Sequence, residues 1–284
     1  MTPEQETRHF IATGEHDPTH AAWPGRDFLE KANAGDSALR SVLIQEIRRR
    51  TAGCIPPSLS PDFDARRFVL GKVGPMVRGL FPASERQIVL DLFEKCLVFV
   101  TQAQVDPLIT EAPYLSTAWT IATLYLGSLG LTGLDDQSVG FVGYSEETTL
   151  YVSPAYFRDD NPFADWVIHE AAHVFHNWKR DRAGLSCTRT REFLLEIAFA
   201  KRELFAYACE AYAKILEQAK SPADRRRLHA EYAANWAPND DRVDRDELIG
   251  ILAEAVEVRN GWKRILQRCS PPKQSRAVPG GVVR

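Results

Sequence analysis

A chain of 284 residues, 44% hydrophobic and 26% charged, carries enough apolar content for a sizeable core in one large domain or two modest ones. Its formal charge of −3 gives no electrostatic reason to expect nucleic acid as a partner. The basic runs Arg48 to Arg50 and Arg225 to Arg227 lie in helical patterns and read as solvated helix faces.

Residues 1–25 are polar and contain Gly14, Pro18, Pro24 and Gly25, which predicts loose structure. Met1 to Glu6 has neither a basic nor an apolar leader region, so no secretory signal is expected. From Asp36, a plausible N-cap, Leu39, Val42, Leu43 and Ile47 recur at the spacing of an amphipathic helix ending near Arg50. Prolines between Gly53 and Pro61 break it. Ser84 to Gln87 has the form of a capping box opening another helix, followed by a strand-like run at Leu97–Thr101. Tyr114 to Leu134 is the most apolar stretch, but its serines, threonines and glycines predict a buried helix and a loop rather than a membrane span.

Between Ser138 and Ser153, two β-rich runs, around Val139–Val142 and Thr148–Val152, flank Gly143 and predict two short strands or a hairpin. Asn161-Pro162 offers an N-cap and a proline at the first helical position, for a helix reaching about Lys179–Arg180. Thr190 to Ala219 contains no Gly or Pro and predicts a second long helix. Ser221-Pro222 opens a third and Asp244 a fourth, which Asn260-Gly261 stops. The last fifteen residues read as a disordered tail. Five scattered cysteines without a CxxC pair fit a reducing cytoplasm, and they leave histidines and carboxylates as the available metal ligands.

The sharpest chemical signal is His169-Glu170-Ala171-Ala172-His173. On a helix, i and i+4 lie about 40° apart around the axis and one turn apart along it, so both imidazoles can converge on one ion. Glu170 is then placed to handle the proton of an attacking water. The following helix offers Glu192, Glu196, Glu203 and Glu210 as further ligands. His176 lies about 10.5 Å along the axis from His169. It can be a packed histidine, a partner of a ligand or substrate, or a ligand itself. His9, His16, His20 and His229 are isolated.

The HExxH sequence, followed on a later helix by Glu203-Leu204-Phe205-Ala206, resembles the gluzincin class of zinc metallopeptidases; the second element is especially similar to the third-ligand helix of anthrax lethal factor. The resemblance covers the two helices and their surroundings. It implies Zn²⁺ as cofactor, Glu203 as third ligand, and an upstream antiparallel strand lining a substrate cleft, for which Thr148–Ser153 is the candidate. Glu210 remains a second candidate ligand, a partner orienting a ligand imidazole, or a solvated charge. Thermolysin-like members carry an Asp four residues after the ligand, where this chain has Tyr207, which is either an oxyanion donor or a core tyrosine.

The expected architecture is a mainly helical α+β protein. A zincin-like core over residues 85–220 holds a small antiparallel sheet and two metal-bearing helices. A mostly helical region (1–84) precedes it, and C-terminal helices (221–269) and the tail (270–284) follow. The expected function is that of a cytoplasmic zinc-dependent peptidase acting on a peptide or protein, with Glu170 as general base and acid. Hydrolysis of a non-peptide amide, or a non-catalytic binding role on the same fold, are the alternatives.

Overall fold

The computed structural model describes residues 1–55, 59, 62–158, 160–188 and 190–272. Among these the chain is mainly helical, with one small three-stranded mixed sheet. Helix α1 (Pro3–Thr13) occupies much of the segment expected to be loose. Thr2 and Gln5 cap it reciprocally, Gly14 closes it at a φ of 75°, and Phe10 is fully buried beneath it. Helix α2 (Phe28–Arg50) starts eight residues before the expected Asp36, because Asp27 is its N-cap. Asp36 instead pairs with Arg40 one turn on, at 2.7 Å. Helix α3 (Ala65–Leu80) is followed by α4 (Ala83–Cys96). The expected capping box at Ser84–Gln87 does not form; Pro82 holds the cap position, and Glu85 turns away to a distant arginine.

Strand β1 (Leu97–Phe99), helix α5 (Val105–Glu111) and helix α6 (Leu115–Ser128) come next. Helix α6 is buried on nearly every side, as expected of the apolar stretch. No helix among the described residues is long and apolar enough to cross a membrane. Strands β2 (Gly143–Glu146) and β3 (Thr149–Val152) form the hairpin, turning at Glu147 with a φ of 51°. The first expected strand is displaced: residues 138–142 are irregular and pairing begins at Gly143. At that glycine a Cβ would lie 2.4 Å from the Trp166 ring. The sheet order is β1-β3-β2, with β1 parallel and β2 antiparallel to the central β3.

The sheet separates two apolar clusters. Leu150 and Val152 of β3 point into one, Tyr151 into the other, the alternation a strand imposes. One cluster joins α1, α2, α5 and α6 through residues such as Phe10, Leu43 and Ile121. The second joins α3 and α4 to the C-terminal half through Met76, Phe93, Phe175 and Phe205.

In that half, helix α7 (Trp166–Asn177) starts later than expected, at the N-cap Asp165 rather than Asn161, and ends two residues before Lys179. The single helix expected over Thr190–Ala219 shrinks to α8 (Arg202–Gln218), preceded by a 3₁₀ turn at Phe199–Lys201. Two effects defeat the earlier part of it. Glu196 folds back and accepts the backbone N–H groups of Glu192 and Phe193 at 2.7 and 2.9 Å, a local side-chain bonding that competes with helix. Leu194 and Leu195 also donate their N–H groups to Trp178 and Phe175, which folds the segment back along the end of α7. Helix α9 (Pro222–Asn235) and α10 (Arg245–Glu257) carry the expected caps Ser221 and Asp244. Asn260 both ends that region and caps a further helix, α11 (Gly261–Cys269). The expected tail lies outside the described residues from position 273 onward.

Candidate metal centre

Helices α7 and α8 pack side by side, with the small buried residues Ala171, Ala172 and Ala206 permitting close approach. The start of α7 is fixed by Asp165, which is 2% exposed. Its carboxylate caps Ile168 N–H and accepts from Lys72 Nζ at 2.7 Å and from the Tyr156 hydroxyl at 2.8 Å.

One turn into α7, His169 Nε2 and His173 Nε2 face each other at 3.2 Å. Glu203, in the first turn of α8, brings Oε2 to 3.7 Å from His169 Nε2 and 3.5 Å from His173 Nε2. Donor atoms of His169, Glu170 and His173 also lie within 4.8 Å of one another.

The outer nitrogens determine what these atoms offer. Glu210 Oε2 stands 3.1 Å from His169 Nδ1, so a neutral His169 carries its proton on Nδ1 and a lone pair on Nε2. His176 Nδ1 donates to Asn177 Oδ1 at 3.1 Å, which leaves its Nε2 to accept from His173 Nδ1 at 2.9 Å. His173 Nε2 is then also a lone pair. With both rings neutral, two imidazole lone pairs and a carboxylate oxygen therefore converge. Such a triangle is satisfied by a bound cation or by a proton on one of the rings.

Its edges of 3.2, 3.5 and 3.7 Å compare with about 3.3 Å between ligands in a tetrahedron of zinc–nitrogen bonds near 2.0–2.1 Å. The residues fit the ion. A proton on His169 meets the same need for positive charge. Burial pushes the His169 imidazole down, but the carboxylates of Glu203 and Glu210 outweigh it and lift it to about 9. Burial, together with the neighbouring His169, pushes His173 down to about 4. Burial and His173 hold His176 at about 3. Contact with His169 keeps the Glu203 carboxyl below its ordinary range, against the opposing effect of burial.

Glu170 projects into a cavity of about 290 Å³, walled by Gly140, Phe141, Val142, Ala164 and Trp166 and bordered by His169, Tyr207 and Glu210. Burial raises its carboxyl above the usual range, and a hydrogen bond from Ser145 works in the opposite direction.

Of the residues singled out in the sequence, His169, Glu170, His173, Glu203, Glu210 and His176 come together here. Glu210 and His176 each address the far nitrogen of a histidine rather than the triangle. Tyr207 lays its ring edge-on against His169, centroids 4.6 Å apart, and donates its hydroxyl to Asp240 Oδ2 at 3.2 Å. Glu192 and Glu196 lie in the loop before α8 and take no part. The strand expected beside the site, Thr148–Ser153, is β3, whose two edges are both paired. The strand nearest Glu170 is β2, through Ser145, with the preceding residues 140–142 lining the cavity.

Sequence reasoning missed Asp240 and Arg242, on the loop joining α9 to α10. Arg242 donates to Glu203 Oε1 at 2.9 Å and to Asp240 at 2.6 Å. The only signal for them was the charged run Asp240-Asp241-Arg242, which also fits a solvated turn. The chain matches no protein-family model, no curated protein and no solved structure.

Proposed function

We propose that the chain is a zinc-dependent metallohydrolase, and specifically a peptidase of the gluzincin type. His169, His173 and Glu203 hold Zn²⁺, and α7, α8 and the small sheet serve as a zincin-like core. The observation that carries this reading is the convergence of two imidazole nitrogens and a carboxylate oxygen, with the outer nitrogen of each imidazole held by a hydrogen-bond partner. Ligand histidines and their partners are arranged in this way in zinc sites generally.

A zinc ion supplies a Lewis acid that polarises a carbonyl and acidifies water. Glu170, half-buried and next to the ligands, accepts a proton from the attacking water and returns it to the leaving nitrogen. The free edge of β2 can take an extended peptide as a further strand, which aligns the scissile bond by main-chain hydrogen bonds. Phe141 and Trp166 then receive an apolar side chain of the substrate. Tyr207 serves as a donor to the substrate oxygen only by exchanging its bond to Asp240.

The modest size of the cavity favours a second reading, hydrolysis of a small non-peptide amide on the same residues. A screen of the zinc-loaded chain against a peptide library and a panel of small amides separates the two, with Glu170→Gln as control. Peptide cleavage that falls by roughly 10²–10⁴-fold in Glu170→Gln, with zinc retained, is the expected result. Cleavage undiminished in Glu170→Gln would sink the proposal. Turnover of small amides alone would select the second reading.

A further inference from the structure

We infer that Arg242 is a positioning residue for Glu203: by holding one oxygen of that carboxylate it turns the other toward the two imidazoles. The inference rests on the metal-centre reading above. Arg242 Nη1 donates to Glu203 Oε1 at 2.9 Å, whereas the oxygen facing His169 and His173 is Oε2. The guanidinium thus takes the oxygen that the triangle leaves over and does not compete for the ligand atom.

Its own position is built. Asp240 accepts from Arg242 Nε at 3.0 Å and from Nη2 at 2.6 Å, and an oxygen of the same carboxylate receives the Arg242 backbone N–H at 2.9 Å. This fork-to-carboxylate pairing fixes the plane of the guanidinium. Asp240 also offsets the charge of Arg242, so a cation beside Glu203 meets a nearly neutral pair rather than a bare positive charge. Tyr207 ties the same aspartate to α8 at 3.2 Å. A loop far from α7 in sequence is thereby fastened to a ligand of the site.

The sign of one measurement tests this. If Arg242 acts only through its charge, removing it strengthens cation binding. If it positions Glu203, removing it weakens binding by about 10–100-fold, as loss of a group that orients a ligand does. The experiment is competition for Zn²⁺ against a chromophoric chelator, together with the visible spectrum of the Co²⁺-loaded chain. It compares wild type, Arg242→Gln and Arg242→Lys, whose ammonium can still reach one Glu203 oxygen. Arg242 is 63% exposed, which favours folding of both variants.

The expected result is weaker zinc binding and an altered cobalt spectrum in Arg242→Gln, partly recovered in Arg242→Lys. Unchanged or tighter binding in Arg242→Gln, or no recovery in Arg242→Lys, overturns the inference while leaving the metal centre standing. A wild-type chain with no zinc affinity overturns both.

Discussion

Glu210 Oε2 lies 3.1 Å from His169 Nδ1, and the other oxygen of the same carboxylate accepts the Asp165 N–H at 2.7 Å. One side chain from α8 therefore holds both the start of α7 and the first imidazole on it. Asp165 is in turn bound by Lys72, which also bonds Glu217 of α8 at 2.8 Å. The orientation of His169 is thus set by a chain of charged groups that bridges α3, α7 and α8, more than by its own helix.

On the proposed zinc site, replacing Glu210 with Ala should consequently act through His169. We expect zinc affinity to fall by about 10–100-fold, the usual cost of losing a histidine's orienting partner. The orphaned Asp165 N–H adds a stability loss of roughly 1–3 kcal/mol. Chelator competition and a urea melt measure the two effects. Unchanged zinc affinity would show that Glu210 is a bystander.

A second prediction concerns the loop that returns from α7 to α8. Arg180, 2% exposed, donates to Glu85 of α4 at 2.6 Å and to the Ser186 carbonyl at 2.7 Å, and so anchors that loop to the core. Replacing Glu85 with Gln leaves a buried guanidinium without a counter-charge, and we expect a loss of roughly 3–5 kcal/mol. The hydrogen bond from Arg180 holds the Glu85 carboxyl below its ordinary value of 4.5, against burial. The pair's contribution is therefore fully present above that value. It is lost as pH falls through the lower pKa of the folded chain. Denaturation at a series of pH values should show wild type losing part of its stability on acidification, while Glu85→Gln lacks that part. Parallel acid profiles would contradict the assignment.

The sequence revealed the site better than it revealed its supports. His169 and His173 were legible because helical spacing alone makes i and i+4 neighbours. Glu203 and Glu210, two turns apart on one helix, could be placed on a common face for the same reason. Ser221 and Asp244 announced their helices through local capping chemistry. The failures share a different cause. Nothing local marks Leu194 and Leu195 as donors to Trp178 and Phe175 at the end of α7, so a segment without Gly or Pro looked helical and was not. Ser84 to Gln87 had the form of a capping box, and nothing local marked Glu85 as the partner of Arg180, 95 residues away. Arg242 reaches Glu203 across 39 residues, and no periodicity encodes such a contact. Pairings set by tertiary approach become visible only when the helices are in place.

The measurement that tests the central claim most directly is the zinc content of the purified chain after equilibration with zinc and removal of the excess. Wild type is compared with His173→Ala and Glu203→Ala. The account predicts about one zinc per chain in wild type, the stoichiometry of a single tetrahedral site, and its loss in both variants. No zinc in wild type, or full retention in both variants, would contradict it.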